Sequence, residues 1–218
     1  MAWTDPITFV SGNVLTAAQM NVIQANLLAG GPTYATEAAR TTAIPSPFEG
    51  QVAYITGSTI TTATGATSGT AGVPTGIRTI YNGSAWTTVT SVSAWSTTGG
   101  TMTATSYATT LTGDATAVSV TLQTGTTALV AFSGVYAHSG VGGTNYTGFS
   151  VSGATTLAAA DTSAAFWNCP VANYNVPYSW ISLVSGLTAG TNTFTLNYKT
   201  SGATGTWAQR RLTVQGVA

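Results

Sequence analysis

Charged residues are almost missing from this 218-residue chain, which has five Asp or Glu residues, five Lys or Arg residues and a net charge of zero. Phosphate backbones need clustered basic side chains, and the one adjacent basic pair is Arg210-Arg211. We therefore expect no nucleic-acid partner. Because net charge keeps monomers apart in solution, we expect so neutral a chain to belong to an assembly that covers much of its surface.

Cysteine and histidine each occur once, as Cys169 and His138. One cysteine cannot form an internal disulfide, and together with one histidine it cannot hold zinc, so we expect neither a metal nor a cofactor. Cys169 is interpreted as a small buried hydrophobic residue. A Ser-His-Asp or Cys-His arrangement would have to use His138, whose surroundings, YAHSGVGG, indicate an exposed loop.

Catalytic patterns are missing as well. Glycoside hydrolysis needs two carboxylates that flank the scissile bond, and no serine lies in a G-x-S-x-G turn. The glycines of SGVGGTNYTG are not a phosphate loop, because no lysine and no helix pattern follow them. We expect no catalytic residues and no enzymatic activity. The carboxylates lie in separate segments, at Asp5, Glu37, Glu49, Asp114 and Asp161.

No apolar run approaches the ~18 residues of a transmembrane helix, so we expect no membrane insertion. The opening MAWTDPITFV contains an acid and no basic n-region, which is not the pattern of a secretory signal.

Residues 15–31, LTAAQMNVIQANLLAGG, have the pattern of a short helix. Thr16 is suited to the N-cap with Gln19 three residues later, and Gly30-Gly31-Pro32 ends the pattern. A helix this short is marginal alone in water, so its apolar stripe must dock, either on the later part of the chain or on another component of an assembly. The stripe consists of residues at helical spacing, Met20, Ile23 and Leu27.

The sequence divides into three predicted parts: an arm and helix over 1–31, a β-hairpin collar over 32–92 and a head over 93–218. In the collar, Asn82-Gly83 predicts a two-residue type I′ turn that pairs Tyr81 with Ser84 and Thr79 with Trp86. Residues 51–56 are expected to add a third strand. The Thr/Gly-rich segment 57–76 is interpreted as a flexible or exposed loop.

The head alternates apolar with small polar residues in repeated short segments, which predicts strands of one antiparallel β-sandwich. The fold class is therefore mainly β. Strands with Thr in place of charges would aggregate at open edges, and oligomerisation would cover those edges. The predicted strand segments are AVSVTLQ, TALVAFSGVYA, TGFSVSG, YSWISLVSG, NTFTLNYKT and RRLTVQGV.

Aromatic residues interleave with Asn and Pro in FWNCPVANYNVPYSW, residues 166–180. Sugar C–H faces stack on rings while amides bind hydroxyls, so Trp167, Tyr174 and Tyr178 are candidate glycan-binding residues. Alternatively, the rings fill the core or an oligomer axis, because aromatics dominate both. Tyr174 and Tyr178 are assigned to an exposed loop, and Trp180 is expected to be a core residue on a strand.

The order of motifs resembles that of small virion proteins of tailed bacteriophages. WTDPITFVSGNVLTAAQMNVIQANL resembles their opening arm and short helix, and SPFEGQVAYIT followed by IYNGSAW resembles the hairpin collar. LVSGLTAGTNTFTLNYKTSGATGTWAQRRLTV is similar to the last strands of their trimeric jelly-roll heads. The resemblance extends over most of the chain.

The resemblance implies a homotrimeric fibre or spike in the virion, with a jelly-roll-like head displayed outward. Its N-terminus would dock on a capsid or tail protein, and the head could bind cell-surface glycans. Two alternatives stay open: a capsid decoration protein that stabilises the lattice, and a stand-alone carbohydrate-binding module. The docking residues are expected to be Trp3, Phe9, Leu15, Met20, Ile23 and Leu27.

Overall fold

The structure is a computed structural model that describes residues 16–17, 20–21, 31–64 and 76–217. The chain is mainly β, with several antiparallel sheets in a sandwich-like arrangement, which confirms the predicted fold class. The trimeric state stays a prediction. None of the helices in the part of the chain that the structure describes has the length and hydrophobicity needed to cross a membrane.

Three sheets organise the strands. The collar sheet has the order β1-β2-β4-β5, the front sheet β11-β10-β13-β8-β3, and the back sheet β12-β9-β14-β6, with β7 paired to β14. The bounds are β1 Thr33–Tyr34, β2 Val52–Ile55, β3 Thr62–Thr64, β4 Ile77–Tyr81, β5 Trp86–Thr88, β6 Val92–Ser96, β7 Gly100–Met102, β8 Ser119–Thr124, β9 Thr127–His138, β10 Thr144–Gly153, β11 Ala165–Asn168, β12 Val176–Ser185, β13 Gly190–Thr200 and β14 Gly205–Val217.

The structure describes only a few residues of the predicted N-terminal helix, 16–17, 20–21 and 31. Ala17, Met20 and Asn21 are helical, and the N–H of Met20 donates to the carbonyl of Thr16 at 3.0 Å. The side chain of Met20 is 52% exposed. The other predicted docking residues, Trp3, Phe9, Leu15, Ile23 and Leu27, lie outside the described residues.

A second helix, α1 (Glu37–Ala43), was not predicted from the sequence. Thr36 caps it, because its side chain accepts a hydrogen bond from the N–H of Ala39, which is the usual N-cap arrangement. The buried carboxylate of Glu37 accepts from the N–H and hydroxyl of Thr59 and from Ser58. Burial acts to raise the pKa of Glu37, but these hydrogen bonds outweigh it and leave the pKa below its ordinary value.

The predicted collar hairpin is present, but its turn and register differ from the prediction. Tyr81 pairs with Trp86 and Thr79 with Thr88, so four residues, 82–85, connect the strands. The side-chain oxygen of Asn82 accepts the N–H groups of Ser84 and Ala85, an Asx-type turn that competes with the two-residue turn. Because the register is displaced by two residues, each side chain keeps its predicted face.

The third collar strand is confirmed as β2, which pairs with β4. The Thr/Gly-rich segment is not entirely a loop, however, because β3 pairs antiparallel with β8 at the edge of the front sheet. Thr residues suit such a pleated edge. Residues 65–75 of the segment lie outside the described residues.

The collar packs against one end of the sandwich. The buried guanidinium of Arg40 lies 4.3 Å from the centre of the Trp86 ring and donates to Thr79 in the collar and to Gln123 in β8. Burial lowers the pKa of Arg40 to about 10. Gly216 of β14 passes close to the collar, where an added Cβ would lie 2.7 Å from the carbonyl oxygen of Thr88.

The head core lies between the front and back sheets. Alternate residues of β8, β13 and β14 point inward, so that the apolar half of the pattern is buried in these strands, as expected for a sandwich. Its aromatic part joins both sheets, with the Trp207 ring 6.2 Å from Tyr136 and 5.7 Å from Tyr198. The indole N–H of Trp207 donates to Thr147 at 3.0 Å.

A buried ion pair between Arg210 and Asp114 ties the core to the connection before β8. The side chain of Arg210 is fully buried and that of Asp114 is 3% exposed. Arg210 also donates to the hydroxyl of Tyr198 at 3.1 Å, and Asp114 accepts from Ser96 at 2.6 Å. Burial raises the pKa of Tyr198 to about 12, although the nearby guanidinium opposes the shift.

This pair generates a stability prediction. We expect Asp114→Asn to lower the free energy of unfolding by about 3–5 kcal/mol, because it leaves the buried Arg210 charge uncompensated. Asp161→Asn is the matched control, since it breaks an ion pair whose carboxylate is 53% exposed, and exposed pairs contribute about 0.2–1 kcal/mol. Urea unfolding of both variants measures the difference. Equal losses would contradict the assignment.

Candidate functional site

The three rings predicted to bind glycans lie in different environments. Tyr174 is 60% exposed. Trp167 lies in β11 and packs against the core. Tyr178 lies in β12 and stacks on the buried ring of Tyr136, with 3.8 Å between ring centres and 10° between planes. The assignment of Tyr178 to a loop is therefore wrong, and only Tyr174 presents an exposed ring.

Gly134 explains why Tyr178 turns inward. The two residues are directly opposite in the β9–β12 pair, and an added Cβ on Gly134 would lie 2.7 Å from the Tyr178 ring. The ring occupies the space that a side chain at 134 would fill. Burial raises the pKa of Tyr178 well above its ordinary range.

The expectation that Trp180 is a core residue is wrong, because its side chain is 37% exposed. β12 pairs with β9 alone and forms the edge of the back sheet. Its side chains therefore have a neighbouring strand of the sheet on one side only. The same strand exposes Ile181 by 66% and Leu183 by 63%. Alternation identified the strand but not its position at the edge.

Ile181 and Leu183 lie on the outward face of the back sheet, since they pair with Ala131 and Leu129 between buried neighbours. A shallow depression of about 300 Å³ lies beside Ile181, and Arg211 stands among its other lining residues. The guanidinium of Arg211 lies 5.4 Å from the centre of the Trp95 ring. We refer to the outward-facing Ile181 and Leu183 as the β12 face; Trp180 pairs with the buried Phe132 and lies on the opposite side of the strand.

His138 is a buried structural residue, which corrects its assignment to an exposed loop. It ends β9 and is 1% exposed. Nδ1 lies 3.0 Å from the amide nitrogen of Gly140 and 2.9 Å from its carbonyl oxygen. Nε2 is 2.8 Å from the carbonyl oxygen of Gly202 and 2.9 Å from the hydroxyl of Thr200. Both ring nitrogens are therefore engaged in joining two loops.

Cys169 is buried, as predicted. Its thiol lies 2.8 Å from the carbonyl oxygen of Val171. The same loop is bound to His138, because the N–H of Asn173 donates to the carbonyl of His138. No group of three or more His, Cys, Asp or Glu residues that could hold a metal ion occurs within residues 16–17, 20–21, 31–64 and 76–217.

The described carboxylates are separated and mostly have structural partners. Asp114 pairs with Arg210 in the core, Glu37 is bound by Ser58 and Thr59, and Asp161 pairs with Lys199 on the front sheet. Asp5 lies outside the described residues.

A partly exposed row of aromatic and charged side chains crosses the outward face of the front sheet. Tyr146 of β10 pairs with Phe166 of β11 on one side and with Lys199 of β13 on the other. The ring centres of Tyr146 and Phe166 are 5.9 Å apart. The ammonium of Lys199 lies 4.6 Å from the centre of the Tyr146 ring and 5.1 Å from that of Tyr107.

Asp161 completes this row, which we call the aromatic platform: Tyr107, Tyr146, Phe166, Lys199 and Asp161. The carboxylate is 2.7 Å from the Lys199 ammonium and accepts from the Tyr107 hydroxyl at 3.0 Å. The hydrogen bond from Lys199 holds the pKa of Asp161 below its ordinary value. Burial, together with the Asp161 carboxylate, raises the pKa of Tyr107 above its usual range.

Sequence reasoning did not find the platform because its members come from four separate segments. The period-2 pattern contained part of the information. Trp167 and Ala165 face inward, so Phe166 must face outward, and the same holds for Lys199 between Tyr198 and Thr200. What the pattern lacked was the register that brings Phe166 and Lys199 to Tyr146.

Comparisons with known proteins add little beyond the fold. No family model and no curated protein matches the chain. Among solved structures, the chain is similar to the Eiger TNF from S. frugiperda, at 9% identity and a TM-score of 0.40 over 58% of this chain and 92% of that one. Infectious bursal disease virus, Gx strain, matches at 16% identity and a TM-score of 0.35 over 57% of this chain and 28% of that one.

A third similar structure is the CBM22-1 xylan-binding domain of Paenibacillus barcinonensis Xyn10C, at 10% identity and a TM-score of 0.24, over 55% of this chain and 88% of that domain. With identities this low, the functions of these proteins do not transfer to this chain.

The geometry around His138 generates the second prediction. We expect His138→Ala to lower the free energy of unfolding by about 3 kcal/mol, because it leaves a cavity and unpaired backbone groups. Val141→Ala, at a 72% exposed position in the same loop, should cost less than about 0.5 kcal/mol. Thermal unfolding of the two variants distinguishes a buried structural histidine from a free one.

Proposed function

We propose that this chain is a structural subunit of a tailed-bacteriophage virion, a homotrimeric fibre or spike. In this proposal the N-terminal segment binds a capsid or tail protein and the sandwich head is displayed outward, where it binds cell-surface glycans. Of the glycan-binding residues expected from the sequence, Trp167, Tyr174 and Tyr178, the accessible one is Tyr174. The motif order, which resembles that of phage virion proteins over most of the chain, supports the assignment.

The observation that carries self-association is the β12 face. An edge strand has unpaired N–H and C=O groups, and soluble monomers protect such edges with charges, prolines, bulges or a covering segment. β12 has the sequence VPYSWISLVS, with a proline at its second position. The stretch after Pro177 has no charged residue and exposes the large aliphatic side chains of Ile181 and Leu183. Large exposed apolar patches mark interaction sites, and a second copy of the chain would cover this one.

We also propose that the protein is not an enzyme. Both nitrogens of its one histidine serve as structural hydrogen-bonding groups, so His138 is not available as a general base. The carboxylates of Asp114 and Asp161 form ion pairs with Arg210 and Lys199. These arrangements favour binding and assembly over proton transfer.

The self-association prediction uses Ile181→Asp. A carboxylate in an apolar contact must be desolvated, so the trimer dissociation constant should rise at least about tenfold, which corresponds to ~1.4 kcal/mol. Ser152→Asp introduces the same charge at an exposed position of the front sheet and should leave the trimer intact. Sedimentation velocity at micromolar concentration measures both, and a monomeric wild-type protein would contradict the proposal.

The docking prediction uses removal of residues 1–31. We expect a folded head that no longer joins the particle, because the buried core residues of the head that the structure describes lie between Val92 and Val214. Ile23→Asp and Leu27→Asp in the full chain should have the same effect. Incorporation is measured by immunoblotting of purified virions, and normal incorporation of the truncated protein would refute N-terminal docking. The copy number in the same samples separates a tail fibre, with few copies, from a capsid fibre or a decoration protein, with many.

A further inference from the structure

The aromatic platform has the composition and geometry of a small binding site. Phe166 is 66% exposed on the short edge strand β11, and Tyr146 continues the apolar surface toward Lys199. Neighbouring strands lie about 4.8 Å apart, so the row from Phe166 through Tyr146 to Lys199 spans roughly 10 Å. That length accommodates one or two pyranose rings.

The polar groups of the platform are held in fixed positions. The Lys199 ammonium is placed between the Tyr107 and Tyr146 rings, and Asp161 binds it from outside at 2.7 Å. Cation–π contacts and a charge-assisted hydrogen bond therefore hold the same ammonium. Because these side chains are already ordered, they would lose little conformational entropy when a ligand binds.

A second copy of the chain is a poor occupant for this surface. A dry protein interface over the platform would desolvate the Asp161–Lys199 pair, which is costly unless every hydrogen bond is replaced. A sugar avoids this cost, because its hydroxyls bond to the charged groups while its C–H face covers the exposed ring of Phe166. The β12 face, in contrast, consists of aliphatic side chains and has Arg211 beside it, with no buried ion pair to desolvate.

The charges also indicate the class of sugar. The Asp161 side chain is 53% exposed and that of Lys199 is 18% exposed, so the more accessible charged group is a carboxylate. A carboxylate accepts hydrogen bonds and repels anions. Two adjacent sugar hydroxyls can donate to its oxygens, whereas an acidic sugar would meet a like charge.

We propose that the aromatic platform binds a neutral sugar that stacks on Phe166 beside Tyr146 and donates adjacent hydroxyls to Asp161. This gives the displayed head of the proposed function a specific binding surface, and it rests on that function only for its biological context. The site lies on the front sheet, so it remains open when the β12 face of the back sheet is covered.

Binding is tested on the full-length protein by saturation-transfer NMR with methyl α-D-mannopyranoside, methyl α-D-glucopyranoside, methyl β-D-galactopyranoside and N-acetylneuraminic acid. We expect saturation of at least one neutral glycoside and a weaker effect on the acidic sugar. Absence of binding to all three neutral probes, or a preference for N-acetylneuraminic acid, would overturn the proposal.

Variants locate the site. Phe166→Ala and Phe166→Leu should each weaken the bound glycoside roughly tenfold, because both remove the aromatic face, and Phe166→Leu keeps an apolar side chain for folding. Asp161→Asn should weaken binding by a similar factor. Tyr174→Ala is the matched control, since Tyr174 is an exposed ring outside the platform. Loss of binding in Tyr174→Ala together with retention in both Phe166 variants would place the ligand elsewhere and overturn the proposal.

Mass photometry and melting temperatures of the same variants separate this proposal from the proposed function. Phe166→Leu should keep the oligomeric state and melting temperature of the wild type while losing affinity. Sugar binding by a monomeric wild-type protein would reject the trimer and leave the site in place. A trimer that binds no neutral sugar would reject the site and leave the assembly.

Discussion

The buried ion pair of Arg210 and Asp114 is the interaction on which the arrangement of the head depends. Arg210 comes from β14 of the back sheet, its partner Tyr198 from β13 of the front sheet, and Asp114 from the connection between β7 and β8. Removing either charge would leave the other unpaired in a region of low dielectric. The pair therefore holds both sheets and the intervening connection in one arrangement.

A β-bulge allows Arg210 to enter the core. β14 changes register between Ala208 and Arg211, and Gln209 has a positive φ of 51°. Without the additional residue, alternation would direct either Trp207 or Arg210 outward, whereas both are buried. Bulges of this kind redirect side chains at the cost of local ladder hydrogen bonds. The inward orientation of Tyr198 fixes the adjacent Lys199 on the outer surface, so the core arrangement also determines the aromatic platform.

Local sequence patterns predicted the strands of the head, because alternation between apolar and small residues is a property of each segment alone. They also predicted the collar hairpin from Asn82-Gly83, but not its register, since the Asn82 side chain formed its own turn with Ser84 and Ala85. The environments of His138 and Trp180 were misjudged for one reason. Whether a residue is covered depends on which strands lie beside it, and that information comes from pairing over long sequence separations.

For the candidate site, too, local pattern predicted which residues are aromatic, and long-range pairing decided which of them are exposed. Tyr174 was found as an exposed ring, whereas Tyr178 was placed in a loop although it stacks on Tyr136. The stretch from 166 to 180 was correctly identified as rich in aromatics, but the rings are distributed over two sheets. Phe166 belongs to the aromatic platform, most of whose other members are distant in sequence. No local motif could therefore predict the platform.

The short strand β3 has a mechanical consequence. It follows the collar strand β2 in sequence but pairs with β8 of the front sheet, and Arg40 makes a second link from α1 to Gln123 of the same strand. The collar and head are therefore joined by hydrogen bonds as well as by the covalent chain. A tensile load applied at the collar would be shared between these bonds and the backbone. Because both links end on β8, which pairs with the central strand β13, the share of the load that these links carry would enter the head through the interior of the front sheet and not through the exposed β12 edge.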